Sequence, residues 1–195
     1  MAIDKGIGVE CSNLQSTGGI TQILLRSWDT NDAVVYGNAT GEHDIDSILT
    51  SASAAAWFVF ENKNETGALT VNATKENGST AFECTLSFMV PQINNDRFAE
   101  FQAMLDTCMM GAVKDTNGSW WVIGASEKYA NEDVQAKNQT YLNLTSMEGG
   151  TGAAYSDENG VTISLMARQF EMPREYVPSG TGITVASTGL TATTD

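Results

Sequence analysis

A chain of 195 residues with 42% hydrophobic and 17% charged residues is long enough to bury a sizeable core and too apolar to stay disordered. Ten basic against twenty-four acidic residues leave a net charge of −14, which repels phosphate backbones and excludes the basic groove of a nucleic-acid wrapper. Eighteen glycines beside only three prolines favour strands joined by tight turns.

The opening MAIDKGIGVECSN has no basic start followed by an apolar run, so no secretory leader is expected. The longest apolar run, residues 54–60, falls far short of the ~20 residues of a membrane span, so no membrane partner is expected. Cys11, Cys84 and Cys108 are an odd number without CxxC spacing, which argues against zinc and against a disulfide framework. They read as buried thiols in a reducing compartment. Asn38, Asn64, Asn72, Asn77, Asn117, Asn138 and Asn143 fit N-x-S/T, but without a leader they reflect a chain rich in Asn, Ser and Thr.

In chain order, residues 20–27 read as a first strand and 33–36 as its continuation or partner. Residues 37–56 lack sustained periodicity and read as a long loop, an inter-subunit arm of the kind that is functional or mobile. Trp57-Phe58-Val59-Phe60 looks like a short buried strand. Residues 67–74 and 80–90 alternate. Phe82, Cys84, Leu86, Phe88 and Val90 share one face, opposite Glu83, Thr85 and Ser87, and Asn77-Gly78 suits the hairpin turn between the runs. A helix is expected at about 95–110, with Asn94 or Asn95 as its cap and Gly111 as terminator. Its apolar stripe is Phe98, Phe101, Leu105, Cys108 and Met109. A second hairpin follows, residues 112–115 and 120–124 around Asn117-Gly118. Residues 141–147 and 161–170 make two more strands, and 178–195 form a polar C-terminal arm. The pattern predicts a mainly β single domain over 1–177, a β-sandwich or partial barrel with one flanking α-helix.

Chemistry-bearing motifs are scarce. Gly149-Gly150-Thr151-Gly152 has no Lys-Ser/Thr after it and leads into a strand, whereas a phosphate cradle opens a helix. Asp157-Glu158-Asn159-Gly160 lacks calcium-loop spacing and reads as a turn. His43, the sole histidine, neighbours Glu42, Asp44 and Asp46, a set more in keeping with solvation than with a metal. Adjacent strand residues face opposite ways, so Trp120 and Trp121 cannot form one stacking platform. No catalytic, cofactor or metal residues are assigned, and no enzymatic activity is expected.

The order of these elements resembles the tail tube proteins of tailed bacteriophages. The hairpin AVKDTNGSWWVIGAS carries the resemblance at Val113, Asp115, Asn117, Gly118, Trp120, Trp121 and Gly124. The loop EGGTGAAYSDENG carries it at Gly149, Gly150, Thr151, Gly152, Asp157, Asn159 and Gly160. It covers roughly residues 82–177, about half the chain. The resemblance implies a virion structural protein, made in the host bacterial cytoplasm, whose rings of six copies join their sheets into one β-barrel. Such rings stack into the tube through which DNA leaves the head, aided by long loops and terminal arms. Its partners would be further copies of itself and other tail or neck proteins, with DNA passing without specific binding. In such a ring Thr70, Asn72, Thr74, Glu83, Thr85 and Ser87 would face the lumen. A neck, terminator or hub ring of the same fold is an alternative, as is a glycan-binding β-sandwich.

Overall fold

The computed structural model describes residues 18–28, 33–37, 43–49, 57–129, 140–154 and 156–178. Eleven strands and one helix follow in the order β1 (Ile20–Ser27), β2 (Ala33–Tyr36), β3 (Asp44–Leu49), β4 (Phe58–Phe60), β5 (Ala68–Glu76), β6 (Ser79–Pro91), α1 (Asn95–Leu105), β7 (Met109–Asp115), β8 (Trp120–Ile123), β9 (Asn143–Gly150), β10 (Gly160–Gln169) and β11 (Arg174–Tyr176). They form two sheets, a seven-stranded one in the order β2-β3-β11-β8-β7-β1-β4 and a four-stranded one in the order β5-β6-β10-β9. The expected mainly β architecture is present, with two packed sheets and no closed barrel.

Alternation builds the core between the sheets. On β6, Cys84, Leu86, Phe88 and Val90 point inward with Val161, Ile163, Leu165 and Ala167 of β10, against Ile23 and Leu25 of β1 and Val113 of β7. Phe88 is fully buried and meets Phe60 edge to face at 6.2 Å between ring centroids. Burial pushes the Cys84 thiol up to about 12, so the thiolate is scarce at neutral pH.

The large sheet is apolar on both faces. Its second face gathers Val34 of β2, Ile45 of β3, Tyr176 of β11, Trp120 and Val122 of β8, Met110 and Ala112 of β7, Leu24 of β1 and Trp57 before β4 into one cluster. Val59 of β4 packs against the same cluster, so both outer strands of the sheet contribute to a single apolar body.

The second core corrects the reading of residues 37–56 as a long loop. Asp44–Leu49 is a strand, paired antiparallel with β2 and parallel with β11, and Ile45 is 1% exposed. Its polar residues hid the strand, because only Ile45 and its neighbours meet the second core. Residues 38–42 and 50–56 lie outside the described residues, as do Cys11 and the proposed arm beyond residue 178. β11 is a further strand beyond the one expected at 161–170. The continuation expected at 33–36 pairs with β3, not β1.

Both hairpins form at the expected turns. Glu76 pairs with Ser79 across Asn77 (φ 48°) and Gly78 (φ 81°), the left-handed pair that matches the twist of adjoining strands. In the β7–β8 turn, Asp115 Oδ1 accepts the N–H groups of Asn117 (2.8 Å) and Ser119 (3.0 Å), and Oδ2 accepts the Trp121 indole N–H (3.1 Å). Partial burial works to raise the Asp115 carboxyl, but the bonds from Trp121, Ser119 and Asn117 outweigh it and hold it below the ordinary range.

The helix is shorter than the expected 95–110. The Asn94 side chain caps it by accepting the Arg97 N–H at 2.8 Å, and Leu105 is its last residue. Beyond it, Cys108 O accepts the Trp28 N–H, and Met109 exchanges two backbone bonds with Leu142. Strand pairing therefore claims Met109, and Gly111 lies within β7 instead of ending a helix. Phe101 and Met104 are the buried helix residues, while Phe98 and Leu105 from the expected stripe are 48% and 59% exposed.

Truncating Ile45 to Ala should destabilise the chain by about 2–4 kcal/mol, as for other buried aliphatics. Chemical denaturation measures this, and a change within about 0.5 kcal/mol, the range of surface substitutions, would remove β3 from the core. In the folded protein Cys84 should resist a maleimide at neutral pH and react on unfolding, read by mass spectrometry; rapid labelling in the folded state contradicts its burial.

Candidate functional site on the outer face of the four-stranded sheet

The six residues proposed for a lumen come from β5 and β6, and the strand register brings them onto one surface. Thr70 stands opposite Thr85, Asn72 opposite Glu83, and Thr74 opposite Ala81, with Ser87 opposite Ala68. Directly paired residues share a face, so all six lie on the side turned away from the core. Thr70, Asn72 and Thr74 are exposed, and Glu83, Thr85 and Ser87 are half-buried by their neighbours.

The register extends this surface to residues that periodicity in the first hairpin alone does not reveal. Ser87 pairs with Ser164, Thr85 with Met166 and Glu83 with Arg168 across β6 and β10. On the far side, Thr162 pairs with Glu148 and Ser164 with Ser146, before a register shift at Ser164/Leu165. The resulting face is a field of hydroxyls and amides with Met166, three carboxylates, Glu76 at the hairpin end, Glu83 and Glu148, and one guanidinium, Arg168. Several hydroxyls are turned into the sheet itself: Thr145 Oγ1 donates to Ser164 O at 2.9 Å, and Ser164 Oγ lies 3.4 Å from Ser87 Oγ. Arg168 stands opposite Glu83, and Glu76 and Glu148 leave the face negative.

The glycine loop has a structural explanation. Gly149 and Gly150 are the last residues of β9, and a side chain at Gly149 would stand 2.2 Å from Gly160 O in the paired strand. Gly152 has φ 73° and would drive a Cβ to 2.6 Å from that of Asp157. The N–H groups that might receive an anion are taken: Ala153 and Ala154 donate to Asp157 Oδ2 at 2.9 and 2.8 Å. Those two bonds, Ala154 first, hold the Asp157 carboxyl below its ordinary range. The loop supplies its own anion and closes on itself.

The remaining candidates do not converge. His43 is exposed with Asp44 and Asp46 half-buried beside it, Glu42 lies outside the described residues, and no group of three or more metal-ligating side chains occurs among the described residues. The two tryptophans part as strand geometry requires, Trp120 into the second core and Trp121 to a cavity of about 440 Å³. That cavity opens between the sheets beside β5, with Ile20, Leu69, Val71, Val113 and Met172 among its walls. Asp115, its charged member, already has both oxygens occupied by the turn and the Trp121 indole. No protein-family model matches the chain, and no curated protein matches it.

The Glu83–Arg168 pairing makes a checkable difference. Glu83→Lys sets two cations opposite each other and should be less stable than Glu83→Gln by about 0.2–1 kcal/mol, with the fold retained. Denaturation midpoints of the two variants decide this; a Lys variant as stable as the Gln variant would argue against the register.

Proposed function

We propose that this chain is a virion structural protein whose copies join edge to edge into rings, six to a ring, that stack into a phage tail tube for DNA passage. The observation that carries this reading is the four-stranded sheet, which has one face in the core, one hydroxyl-rich face outside, and two outer strands, β5 and β9, each paired with a strand on one side only among the described residues. Open sheet edges are ordinarily blunted with lysine, proline or a bulge in the edge strand. β9 (NLTSMEGG) contains neither lysine nor proline, its one irregularity is the register shift opposite Ser164/Leu165, and the charges of β5 (ALTVNATKE) sit only at its hairpin end. Such strands offer unpaired backbone groups to another chain.

Strand direction supports a ring. The four strands alternate in direction, so β5 and β9 run opposite ways. Copies related by rotation about an axis along the strands therefore bring β9 of one antiparallel to β5 of the next, keeping the polar face on one side throughout. Apolar positions flank both edges on the core side: Leu69 and Val71 along β5, Leu144 and Met147 along β9. Repeated around a ring, the polar face with Thr70, Asn72, Thr74, Glu83, Thr85 and Ser87 would line the channel. A chain of net charge −14 discourages phosphate from lingering there, and the small hydroxyls give DNA few lasting contacts.

Negative-stain microscopy and light scattering test the reading directly. Purified protein is expected to form tubes at sufficient concentration; single rings alone would favour a neck or terminator position, and a strict monomer across a wide concentration range would overturn assembly. Met147→Lys, an inward-pointing charge on a half-exposed edge residue, should leave the monomer folded by circular dichroism and abolish rings. In an assembled tube, Glu83 on the outer wall would defeat the lumen assignment.

A further inference from the structure

The chain contains three Asn-Gly dipeptides, Asn77-Gly78, Asn117-Gly118 and Asn159-Gly160, and the fold treats them very differently. In such a pair the following nitrogen can attack the asparagine amide carbon, because glycine places no side chain in the way. A bond forms between the Gly nitrogen and Asn Cγ, and the Cγ–amide bond breaks. Ammonia leaves with the proton from the Gly N–H, and a five-membered succinimide remains. Water then opens the ring at either carbonyl, giving aspartate or, with the main chain rerouted through Cβ, isoaspartate. The reaction requires a mobile amide side chain and a glycine nitrogen that is not engaged.

Two of the three sites are held. At Asn117-Gly118 the glycine N–H donates to Asp115 O at 3.2 Å, while Asp115 binds both the backbone N–H and the side chain of Asn117. At Asn159-Gly160 the asparagine Oδ1 accepts the Ile93 N–H at 3.1 Å, and its backbone carbonyl accepts that of Gln92 at 2.9 Å. Gly160 is buried between β6 and β9, with Val90 O within 2.8 Å of where a Cβ would stand. Neither asparagine is free to swing its amide carbon toward the next nitrogen.

Asn77-Gly78 stands apart. Both residues are exposed at the tip of the β5–β6 hairpin with open space around the glycine, as are Asn117 and Gly118 in theirs, but among the described residues no bond comparable to those from Asp115 holds the Asn77 side chain or the Gly78 N–H. The tip also stands beyond the end of β10, whose last paired residue, Gln169, faces Phe82. We propose that Asn77 is a self-modification site of this protein, converting through a succinimide to aspartate and isoaspartate with water as the only co-reactant, while Asn117 and Asn159 are protected by the fold. Isoaspartate adds a methylene to the main chain inside a two-residue turn, so conversion loosens the pairing of Glu76 with Ser79. Aspartate keeps the turn and adds a negative charge at the tip.

The test is peptide mapping by mass spectrometry after incubating the purified full chain in mildly alkaline buffer, with isoaspartate detected by protein isoaspartyl methyltransferase. In the folded protein, Asn77 should convert about tenfold or more faster than Asn117 or Asn159, since hydrogen bonds to Asp115 hold Asn117 and the Gly118 N–H, and strand pairing encloses Gly160. In denaturant all three should react at comparable rates, showing that the fold makes the difference. Asp115→Ala should raise the conversion of Asn117 and leave that of Asn77 unchanged. Equal rates at the three sites in the folded chain, or an unreacted Asn77 when the denatured chain has fully converted, would overturn the proposal.

Discussion

The two-fold alternation along β6 is the constraint on which the rest of this molecule depends. One face of a single long strand supplies Cys84, Leu86, Phe88 and Val90 to the inter-sheet core, and the other supplies Glu83, Thr85 and Ser87 to the outer surface. A slip of one residue would exchange the two sets and place the Glu83 carboxylate where Cys84 or Phe82 now packs, so burial fixes the register. β5 and β10 flank β6 and inherit its division between faces, and β9 takes it from β10 up to the shift at Ser164/Leu165. The hydroxyl-rich surface is thus a consequence of core packing: it stays polar because the opposite side must be apolar.

The seven-stranded sheet meets a different demand. Its inner strands are buried on both faces, and half of their apolar side chains point away from the sandwich. Val34 and Ile45 from one end of the sheet and Trp57 and Val59 near the other belong to one apolar cluster, which gives the second face a core of its own. Trp120 and Trp121 illustrate the division between the two sides. One packs in the second core, while the other reaches back to Asp115 and helps to hold the turn that connects its own hairpin.

Turns here are fixed by their own side chains and leave little for a ligand. Asp115 and Asp157 each gather two backbone N–H groups, and Asn94 caps the helix in the same manner. A glycine-rich loop whose N–H groups are already bound to an aspartate is an assembled connection, and its glycines answer to steric contact with Gly160 and Asp157. The outer strands of the small sheet, by contrast, carry no proline and a lysine only at the hairpin end of β5, and this difference between self-sufficient turns and lightly defended edges favours the proposed assembly over ligand chemistry.

Local physics alone determined a good part of this protein. Alternation gave the faces of β6, Asn-Gly and Asp-x-Asn-Gly patterns gave both hairpin turns, and Asn94 gave the start of the helix. Because direct pairing preserves faces, placing Thr70, Asn72 and Thr74 with Glu83, Thr85 and Ser87 needed only the hairpin register. The contributions of Thr162, Ser164, Arg168, Ser146 and Glu148 needed the long-range pairing of β10 with β6 and β9. The same holds for β3 and β11: DIDSIL and REY have weak patterns of their own and become strands by pairing with each other, in parallel, across a distant stretch of chain. The end of the helix was likewise settled elsewhere. Met109 has helical spacing from Phe101 and Leu105, but backbone bonds to Leu142 bind it more firmly than another helical turn, and only the tertiary fold brings Leu142 within reach.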